Sequence, residues 1–325
     1  MGSEYDPWAM LHNTDMNENL EEVTETDDCK VLRMSNSGGD GLMTIYRVFD
    51  GVYLIYNDFH MPHCYSRFNS SASLFCIDHC REGRIEHRTD KNMHYYMESG
   101  DLRCDRRIGH NGDMYFPLSH YHGITVGFFL DIAKNSLQQA MPDVSVDLTS
   151  LADKFCGRDD IYILRKNSAI EHIFSELYSV PEKIRMDYFK IKVIELLVFL
   201  RALELSEYKD NRPYFYSSQV EKIKAVHKLL TDNLSKNYTT ESLAERFEIS
   251  TAALKNGFKG VYGSPIYTYI RQYKMNMAAD MLVRERKKRI IEIAGEVGYN
   301  NPSKFSAAFK EIFGVSPTEY RNDRR

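Results

Sequence analysis

The feature that most constrains the fold of this chain is a segment near the C-terminus that occurs twice. Leu243-Ala244 recurs as Ile293-Ala294, and Phe258-Lys259 recurs as Phe309-Lys310. The offset between the copies is 50 residues before an internal turn and 51 residues after it. Each copy has helical spacing, a short break, a second helical stretch and an exit through glycine. The repeat therefore predicts two copies of one helix, turn and helix unit.

A predicted helix joins the two copies. It opens at Ser264-Pro265 and places Ile266, Tyr269, Ile270, Tyr273 and Met277 at helical spacing. A helix of about 20 residues spans roughly 30 Å, close to the ~34 Å between major-groove faces one turn of DNA apart. The sequence thus predicts two units held on one rigid rod.

The copies differ at two positions that affect the backbone. Glu248 stands where the second copy has Gly298, at a turn position that we expect to need positive φ. Gly257 lies inside a predicted helix where the second copy has Ala308. Each difference costs on the order of 1 kcal/mol, so the first unit is expected to be the more pliable one.

The charge of the chain is divided unevenly between its two parts. The formal net charge is only -4, but residues 217–325 hold 19 Lys and Arg against 12 Asp and Glu, a net charge of +7. Residues 1–216 hold 23 basic and 34 acidic residues, a net charge of -11. This asymmetry indicates a basic module that meets a polyanion, joined to an acidic module with another task.

The acidic part begins with a segment of extreme composition. Residues 1–28 contain nine acidic residues and no Lys or Arg, which predicts a disordered tail. All six cysteines also lie in the acidic part, and reduced thiols in the cytoplasm are the default for such a chain. No run of 18 apolar residues is present, so we expect a cytoplasmic protein with no membrane partner.

The middle of the chain changes from strand to helix periodicity. Strand-like segments at residues 44–49 and 52–56 flank Asp50-Gly51, and further strand-like segments follow at 73–78, 83–87, 94–97 and 124–129. This spacing is typical of a small barrel or sandwich. Two helices separated by Pro181 come next. Their wide apolar face fits either a lid on the sheet or a surface for self-association.

The C-terminal residues resemble the AraC/XylS family of bacterial transcription regulators. The resemblance rests on residues 293–299 (IAGEVGY), 305–310 (FSAAFK) and 313–321 (FGVSPTEYR), with further support from the first copy and the link. It covers roughly residues 220–325. For the remainder, the resemblance implies a cupin-like effector-sensing domain and a helical dimerisation element ahead of the DNA-binding domain.

We therefore predict an α+β protein with a β-rich, cupin-like N-terminal barrel and a helical hairpin, followed by an all-α domain of two helix-turn-helix units and a linker helix. The predicted segments are the tail at 1–28, the sensing domain at 29–160, the hairpin at 161–206, a linker at 207–218 and the DNA-binding domain at 219–325. The resemblance implies a dimeric regulator that binds double-stranded DNA and a small-molecule effector, without being an enzyme. RNA polymerase is considered as a further partner.

Positions carried over from the family define the predicted DNA-binding residues. They are Thr251, Ala252, Lys255, Asn256 and Lys259 in the first unit and Ser303, Lys304, Ser306, Ala307 and Lys310 in the second. Asn pairs well with adenine and Lys with guanine or phosphate, so the first unit is expected to carry more of the direct base readout.

The predictions for the N-terminal part are less specific. Aromatic and histidine side chains are the candidate effector-binding residues: Tyr46, Tyr53, Tyr95, His120 and His122. His120-Tyr121-His122 contains a His-x-His element, but the glutamate and glycines of a full cupin metal motif do not follow. Cys76 and Cys80 are expected to be packed thiols, so we predict no cofactor and no bound metal. The alternative is a metal-dependent cupin enzyme, or a thiol or metal sensor, fused to a DNA-binding domain.

Overall fold

The computed structural model describes residues 20–69, 73–89, 91–107, 109–144, 146–157, 161–205 and 213–323. The chain divides into two compact units. The N-terminal unit contains Tyr95–Pro213 and the chain before Thr89, and the C-terminal unit contains Thr89–His94 and Tyr214–Arg325. None of the helices within the described residues is long and apolar enough to cross a membrane.

The N-terminal unit is built on a curled antiparallel sheet. Its strands are β1 (Leu20–Glu25), β2 (Cys29–Asn36), β3 (Gly39–Phe49), β4 (Val52–His60), β5 (His63–Asn69), β6 (Leu74–Arg88), β7 (Met93–Glu98), β8 (Leu102–Arg106), β9 (Gly109–Tyr115), β10 (Tyr121–Phe129) and β11 (Ile161–Leu164). The order β1-β2-β3-β4-β10-β6-β7 forms the main path, β8 joins β6 to β11, and β9 pairs with both β5 and β6.

Helices cover one face of this sheet. They are α1 (Leu130–Ala140), α2 (Leu148–Cys156), α3 (Ser168–Leu177) and α4 (Arg185–Ala202), with a short 3-10 turn at Glu182–Ile184 before α4. Sheet residues such as Leu54, Ile77 and Val126 form one core with Phe174 and Leu196 of the hairpin. The hairpin α3–α4 therefore covers the sheet, which is one of the two roles that the sequence left open. The predicted interruption at Pro181 is confirmed.

Part of the acidic segment predicted to be disordered is ordered. Residues 1–19 lie outside the described residues, but β1 pairs antiparallel with β2. Lys30 on β2 is fully buried and its Nζ lies 3.5 Å from Glu22 and 3.1 Å from Glu25. One buried cation thus compensates two of the acidic residues, and the prediction of a tail through residue 28 was too long.

Two other predictions for this unit need correction. The segments 73–78 and 83–87 belong to one continuous strand, β6, because a β-bulge between the pairs His122–Glu82 and Gly123–Cys80 bends the ladder without ending it. Helices α1 and α2 were also missed. A signal for α2 was present, since the Asp147 carboxylate accepts hydrogen bonds from the amides of Thr149 and Ser150 at 3.0 and 3.3 Å.

The C-terminal unit is helical apart from the short strand β12 (Phe215–Tyr216) and the first two residues of β7, Met93 and His94, with which β12 pairs. Its helices are α5 (Ser217–Asp232), α6 (Thr240–Arg246), α7 (Thr251–Tyr262), α8 (Ile266–Arg284), α9 (Ile290–Glu296), α10 (Pro302–Phe313) and α11 (Pro317–Asp323). Helix α5 begins at Ser217, two residues before the predicted domain start, and residues 207–212 of the predicted linker lie outside the described residues. One core of this unit gathers Met275 of α8, Ile293 of α9 and Phe309 of α10.

Candidate nucleic-acid interface

The duplicated sequence folds into two matching helix pairs, α6 with α7 and α9 with α10. The second helix of each pair begins at a capping side chain. Ser250 Oγ accepts a hydrogen bond from the Ala253 amide at 3.1 Å, and Asn301 Oδ1 accepts one from the Lys304 amide at 3.1 Å. Both helices end at glycine, Gly263 and Gly314. Local sequence signals thus fix the start and end of each second helix.

The turns inside the two pairs share one geometry. The Ile249 amide donates to Ala244 O at 3.0 Å, and the Tyr299 amide donates to Ala294 O at 2.8 Å. Glu248 has φ +50° and the equivalent Gly298 has φ +82°. The expectation of positive φ at this position is confirmed, and Glu248 occupies a conformation that costs an L residue about 1–2 kcal/mol.

The apolar positions of the second helices form the core. Leu254 and Phe258 of α7 are fully buried, as are Phe305 and Phe309 of α10. Gly257 is buried as well, and a Cβ built there would lie 3.1 Å from two side-chain atoms of Ile223 on α5. This glycine lets α5 approach α7 closely, which gives a packing reason for its place inside a helix.

The remaining face of each second helix carries the predicted DNA-binding residues. Nine of the ten are exposed: Thr251, Ala252, Lys255, Asn256, Lys259, Ser303, Lys304, Ala307 and Lys310. Ser306 is half-buried. Four of the exposed residues on α7 and three of those on α10 are polar or basic, and the opposite face of each helix holds the buried apolar core. The fold therefore brings the predicted residues of each helix to one solvent-facing surface.

Helix α8 connects the two pairs and is 19 residues long, about 29 Å at 1.5 Å per residue. Its buried face includes residues outside the apolar positions that the sequence singled out. Met275, Ala278 and Leu282 are buried, whereas Met277 is 37% exposed. The small side chains of Ala278 and Ala279 allow α9 and α10 to pack closely against α8. The apolar spacing at the start of α8 gave no sign of this contact.

An ion pair fixes α10 against this connecting helix. Arg271 of α8 donates to both carboxylate oxygens of Glu311 on α10, with the Nη1–Oε1 distance 2.9 Å. The side-chain hydrogen bonds from Arg271 lower the pKa of Glu311. Because a two-pronged guanidinium–carboxylate contact defines orientation as well as distance, it restrains the rotation of α10 on α8.

A basic run begins at Arg284, the last residue of α8, and ends at Arg289; only part of it is available to a polyanion. Lys288 Nζ lies 2.8 Å from Glu285 and 2.6 Å from Glu296, and Arg289 lies 2.8 Å from Glu292. These two cations are compensated within the unit. Arg284, Arg286 and Lys287 are exposed.

The five candidate effector residues of the N-terminal unit do not meet in one cavity. Tyr46 is half-buried on the helix-covered face, with its ring centroid 5.1 Å from that of Phe189. Tyr53 is buried on the opposite face, 5.8 Å from the ring of Phe129. Leu54 is the cross-strand partner of Tyr46, so the two side chains lie on the same face of the sheet. Successive side chains of a strand point to opposite faces, so Tyr53 lies on the other face from Tyr46.

The other three candidates lie elsewhere in the sheet. Tyr95 is 1% exposed and its ring stacks on His87 at 5.0 Å, which marks it as core. His120 immediately precedes β10, with its Nδ1 3.2 Å from Leu118 O, and His122 is the second residue of that strand. His122 lies beside Asp58 of β4.

A cavity of about 210 Å³ lies between the sheet and the hairpin and includes Tyr46. Tyr56, Tyr178 and Arg185 also line it, and Arg185 Nη1 donates to Tyr46 Oη at 3.3 Å. Burial raises the pKa of Tyr56 and Tyr178, so both phenols stay neutral and can donate hydrogen bonds. Sequence reasoning missed Arg185; a single basic residue at the start of a helix gives no distinctive signal.

The cysteines show no pairing. All six are free thiols, and Cys76 and Cys80 are buried in β6. Burial raises the pKa of both thiols, which disfavours the reactive thiolate. The structure therefore supports the interpretation of both residues as packed thiols.

Comparison with known proteins identifies the C-terminal region. Residues 243–323 match the AraC-type family described as "Helix-turn-helix domain". The chain is 27% identical over 293 residues to the Msm operon regulatory protein of Streptococcus mutans, a match that covers 83% of this chain and 97% of that one. It is 32% identical over 97 residues to the HTH-type transcriptional regulator ArgR of Pseudomonas aeruginosa. That match covers 30% of this chain and 29% of the relative.

Among solved structures, the C-terminal domain of AraT, a response regulator from Geobacillus stearothermophilus, is 32% identical. It covers 32% of this chain and 85% of that one, with a TM-score of 0.30. The sequence relatives include the Msm regulator over nearly its whole length and a putative AraC-like transcription regulator of Streptomyces lividans. With the matched domain and the duplicated helix pairs, they place the chain in the AraC/XylS family of transcription regulators.

Proposed function

We propose that this chain is a sequence-specific transcription regulator that contacts double-stranded DNA through α7 and α10, the second helices of two helix-turn-helix units. The observation that carries the proposal is the matched solvent-facing surface of these two helices, each capped and packed in the same way. The net charge of +7 across residues 217–325 supports a polyanionic partner. The reported relatives are named as regulators, which supports a protein without enzymatic activity.

The two helices are proposed to make different kinds of contact with DNA. Asn256 of α7 has the amide geometry to pair with adenine N6 and N7, and Lys255 can donate to guanine or to phosphate. Lys304 and Lys310 of α10 are exposed cations that suit phosphate contacts. The length of α8, about 29 Å, supports placing the two helices in consecutive major grooves about 34 Å apart.

The test of this assignment is a DNA titration with the full chain. Selection from a random duplex library supplies a preferred site, and fluorescence anisotropy at several salt concentrations then measures affinity. We expect Asn256→Ala to lose about 1–3 kcal/mol of discrimination at one base pair. Lys304→Ala is expected to weaken binding to all sequences and to lower the salt slope by about 1.

Lys228→Ala is the matched control, because Lys228 is an exposed lysine of α5 whose Nζ lies 2.9 Å from Asp232. It removes the same charge from the same unit but not from α7 or α10. If Asn256→Ala and Lys304→Ala bind selected and unselected DNA as the control does, the assignment of the two helices is wrong.

We further propose that the N-terminal unit is a cupin-like effector-sensing domain. The cavity beside Tyr46 supports a small ligand with an acceptor or acidic group, since Arg185 and neutral phenols line it. Its volume is below that of most drug-sized sites, so the ligand is expected to be compact or to move α4 on entry. A co-purified ligand identified by mass spectrometry, and lost in Arg185→Ala, tests this part.

Self-association is proposed to use the outer face of the hairpin. Ile191 and Phe199 of α4 are 61% and 39% exposed while the inner face of the same helix is buried. Ile191→Glu is expected to shift sedimentation toward the monomer, with Lys190→Glu as a control on the same helix. An unchanged dimer in Ile191→Glu would place the interface elsewhere. RNA polymerase is the proposed partner of the DNA-bound dimer.

A further inference from the structure

Three side chains with metal-ligating atoms converge at one end of β4 and β10. Asp58 and His60 are two residues apart on β4 and so point to the same face. His122 on β10 is the direct antiparallel partner of Asp58. The strand pairing thus brings together three residues from two separate segments of the sequence, with His122 62 positions after His60 and 64 after Asp58.

The three ligand atoms lie at short, nearly equal separations. The Nε2 atoms of His60 and His122 are each 2.8 Å from Asp58 Oδ1 and 3.3 Å from one another. Asp58 Oδ1 is shielded from solvent, yet it has no hydrogen-bond partner of acceptable geometry within the described part of the chain. Neither imidazole therefore satisfies this oxygen by a well-aligned N–H bond.

A shared cation accounts for this arrangement. Zinc binds imidazole nitrogen at about 2.0–2.1 Å and carboxylate oxygen at about 2.0–2.2 Å, so tetrahedral ligand atoms lie about 3.3 Å from one another. The observed 2.8–3.3 Å triangle is close to that spacing. We propose that Asp58, His60 and His122 form a binding site for one divalent transition-metal ion, with Zn²⁺ as the preferred occupant.

The donor set decides the class of metal. Two imidazoles and one carboxylate suit zinc and its first-row neighbours, whereas Ca²⁺ and Mg²⁺ favour sites made of oxygen ligands. The side chains of His60 and Asp58 are 58% and 48% exposed, so the site opens to solvent. A three-ligand site of this kind leaves a fourth position for water or for a donor atom of a small molecule.

The surroundings of the site favour a cation. Asp40 on β3 is the cross-strand partner of His60, and Glu82 on β6 is the cross-strand partner of His122; both are exposed. The β-bulge of β6 lies beside His122, and such irregularities are common next to functional sites. From the sequence, His122 was considered only as part of His120-Tyr121-His122, and no metal was predicted. Asp58 was missed because only the register of β4 on β10 adds it.

Metal binding by the full, untagged chain tests the site without DNA, so its outcome is separate from that of the proposed regulatory function. Chelator-stripped protein is dialysed against Zn²⁺, and bound metal per chain is measured by mass spectrometry. Competition with a chromophoric chelator gives the affinity, and Co²⁺ substitution reports coordination by its visible absorption. Circular dichroism confirms that each variant is folded.

One zinc ion per chain is expected. Losing a group that merely orients a ligand costs about 10–100-fold in metal affinity, so Asp58→Asn, His60→Ala and His122→Ala are each expected to weaken zinc binding at least tenfold. His63→Ala is the matched control, because His63 is also an exposed histidine near a carboxylate, with its Nδ1 3.8 Å from Asp113. It is expected to bind zinc as the unmodified chain does.

The result that would overturn the proposal is equally specific. Zinc affinity that is unchanged in folded His122→Ala, or reduced equally in His63→Ala, would show that the ion binds elsewhere. Absence of bound zinc in the unmodified chain, measured against a His60→Ala/His122→Ala double variant, would also refute the site. If Asp58→Asn keeps the zinc affinity of the unmodified chain while both histidine variants lose it, the Asp58 carboxylate is not a ligand and the three-residue site is wrong.

Discussion

Replacing Gly298 by alanine is a direct test of how the two helix pairs differ. Gly298 has φ +82°, and a Cβ at this position would lie 2.3 Å from Leu234 O and 2.9 Å from Lys274 Nζ. The lysine end could move, but the Leu234 carbonyl belongs to the backbone. The equivalent residue of the first pair, Glu248, carries a full side chain at φ +50° and is exposed. The same turn therefore tolerates a side chain in one pair only.

The expected magnitude follows from two costs. A left-handed conformation costs an L residue about 1–2 kcal/mol, and forcing extra atoms into a packed region costs about 1–3 kcal/mol. Gly298→Ala should therefore lower the free energy of unfolding by about 2–5 kcal/mol. Gly295→Ala is the control, because Gly295 lies exposed in α9 and a Cβ there meets nothing within 4 Å. It should be neutral or stabilise by up to about 1 kcal/mol.

Urea unfolding of the full chain, followed by far-ultraviolet circular dichroism and by DNA binding of the same samples, measures both variants. The C-terminal transition of Gly298→Ala is expected to move to lower urea while that of Gly295→Ala does not. If the two variants unfold within about 0.5 kcal/mol of one another, the reasoning from positive φ and the Leu234 carbonyl is refuted.

Three further predictions concern the same unit. Glu248→Gly should stabilise it by about 0.5 kcal/mol in urea unfolding, since relief of the left-handed cost slightly exceeds the entropy that glycine adds to the unfolded chain; a destabilised variant would contradict this. Burial lowers the pKa of His227 from 6.5 to about 4, so its contribution to stability is full above about pH 6.5 and is lost as pH falls toward 4. The unfolding free energy should drop by about 2 kcal/mol between pH 7 and 5 from this group, and His227→Gln should reduce that slope; equal slopes would refute the assignment. Arg271→Lys, which cannot form the two-pronged contact with Glu311, should bind DNA several-fold more weakly in anisotropy titrations, with its thermal midpoint unchanged; full affinity would show that this contact does not orient α10.

Local signals explain why the C-terminal unit was predictable in detail. The segment Ser316-Pro317-Thr318-Glu319 has the sequence of a capping box, and the bond forms, with the Ser316 amide 2.8 Å from Glu319 Oε2. Asn301 before Pro302 is likewise a start signal that is visible in the sequence, and it caps α10. These signals act over three or four residues, so they can be recognised in the sequence without knowledge of the fold. The buried face of α8 was less legible, because it depends on which helices pack against Ala278 and Ala279.

The N-terminal unit was predictable only in outline. The hairpin at Asp50-Gly51 and the strands β3 and β4 follow from turn and alternation signals, and their pairing is confirmed. The continuity of β6 depends on a bulge, and the ordering of β1 depends on the buried Lys30. Both features arise from neighbouring strands that are distant in sequence.

The sequence by itself determined the duplicated helix pairs, their caps, the positive-φ turn at Glu248 and the exposed rows of residues on α7 and α10, because all of these depend on spacing within one segment. Only the tertiary structure decided which side chains of the sheet share a face and a neighbour. It separated Tyr46 from Tyr53, buried Tyr95 in the core, and brought Asp58 and His60 against His122. The physical reason is that strand register, set by the packing of the whole sheet, decides contacts between residues that no local pattern links.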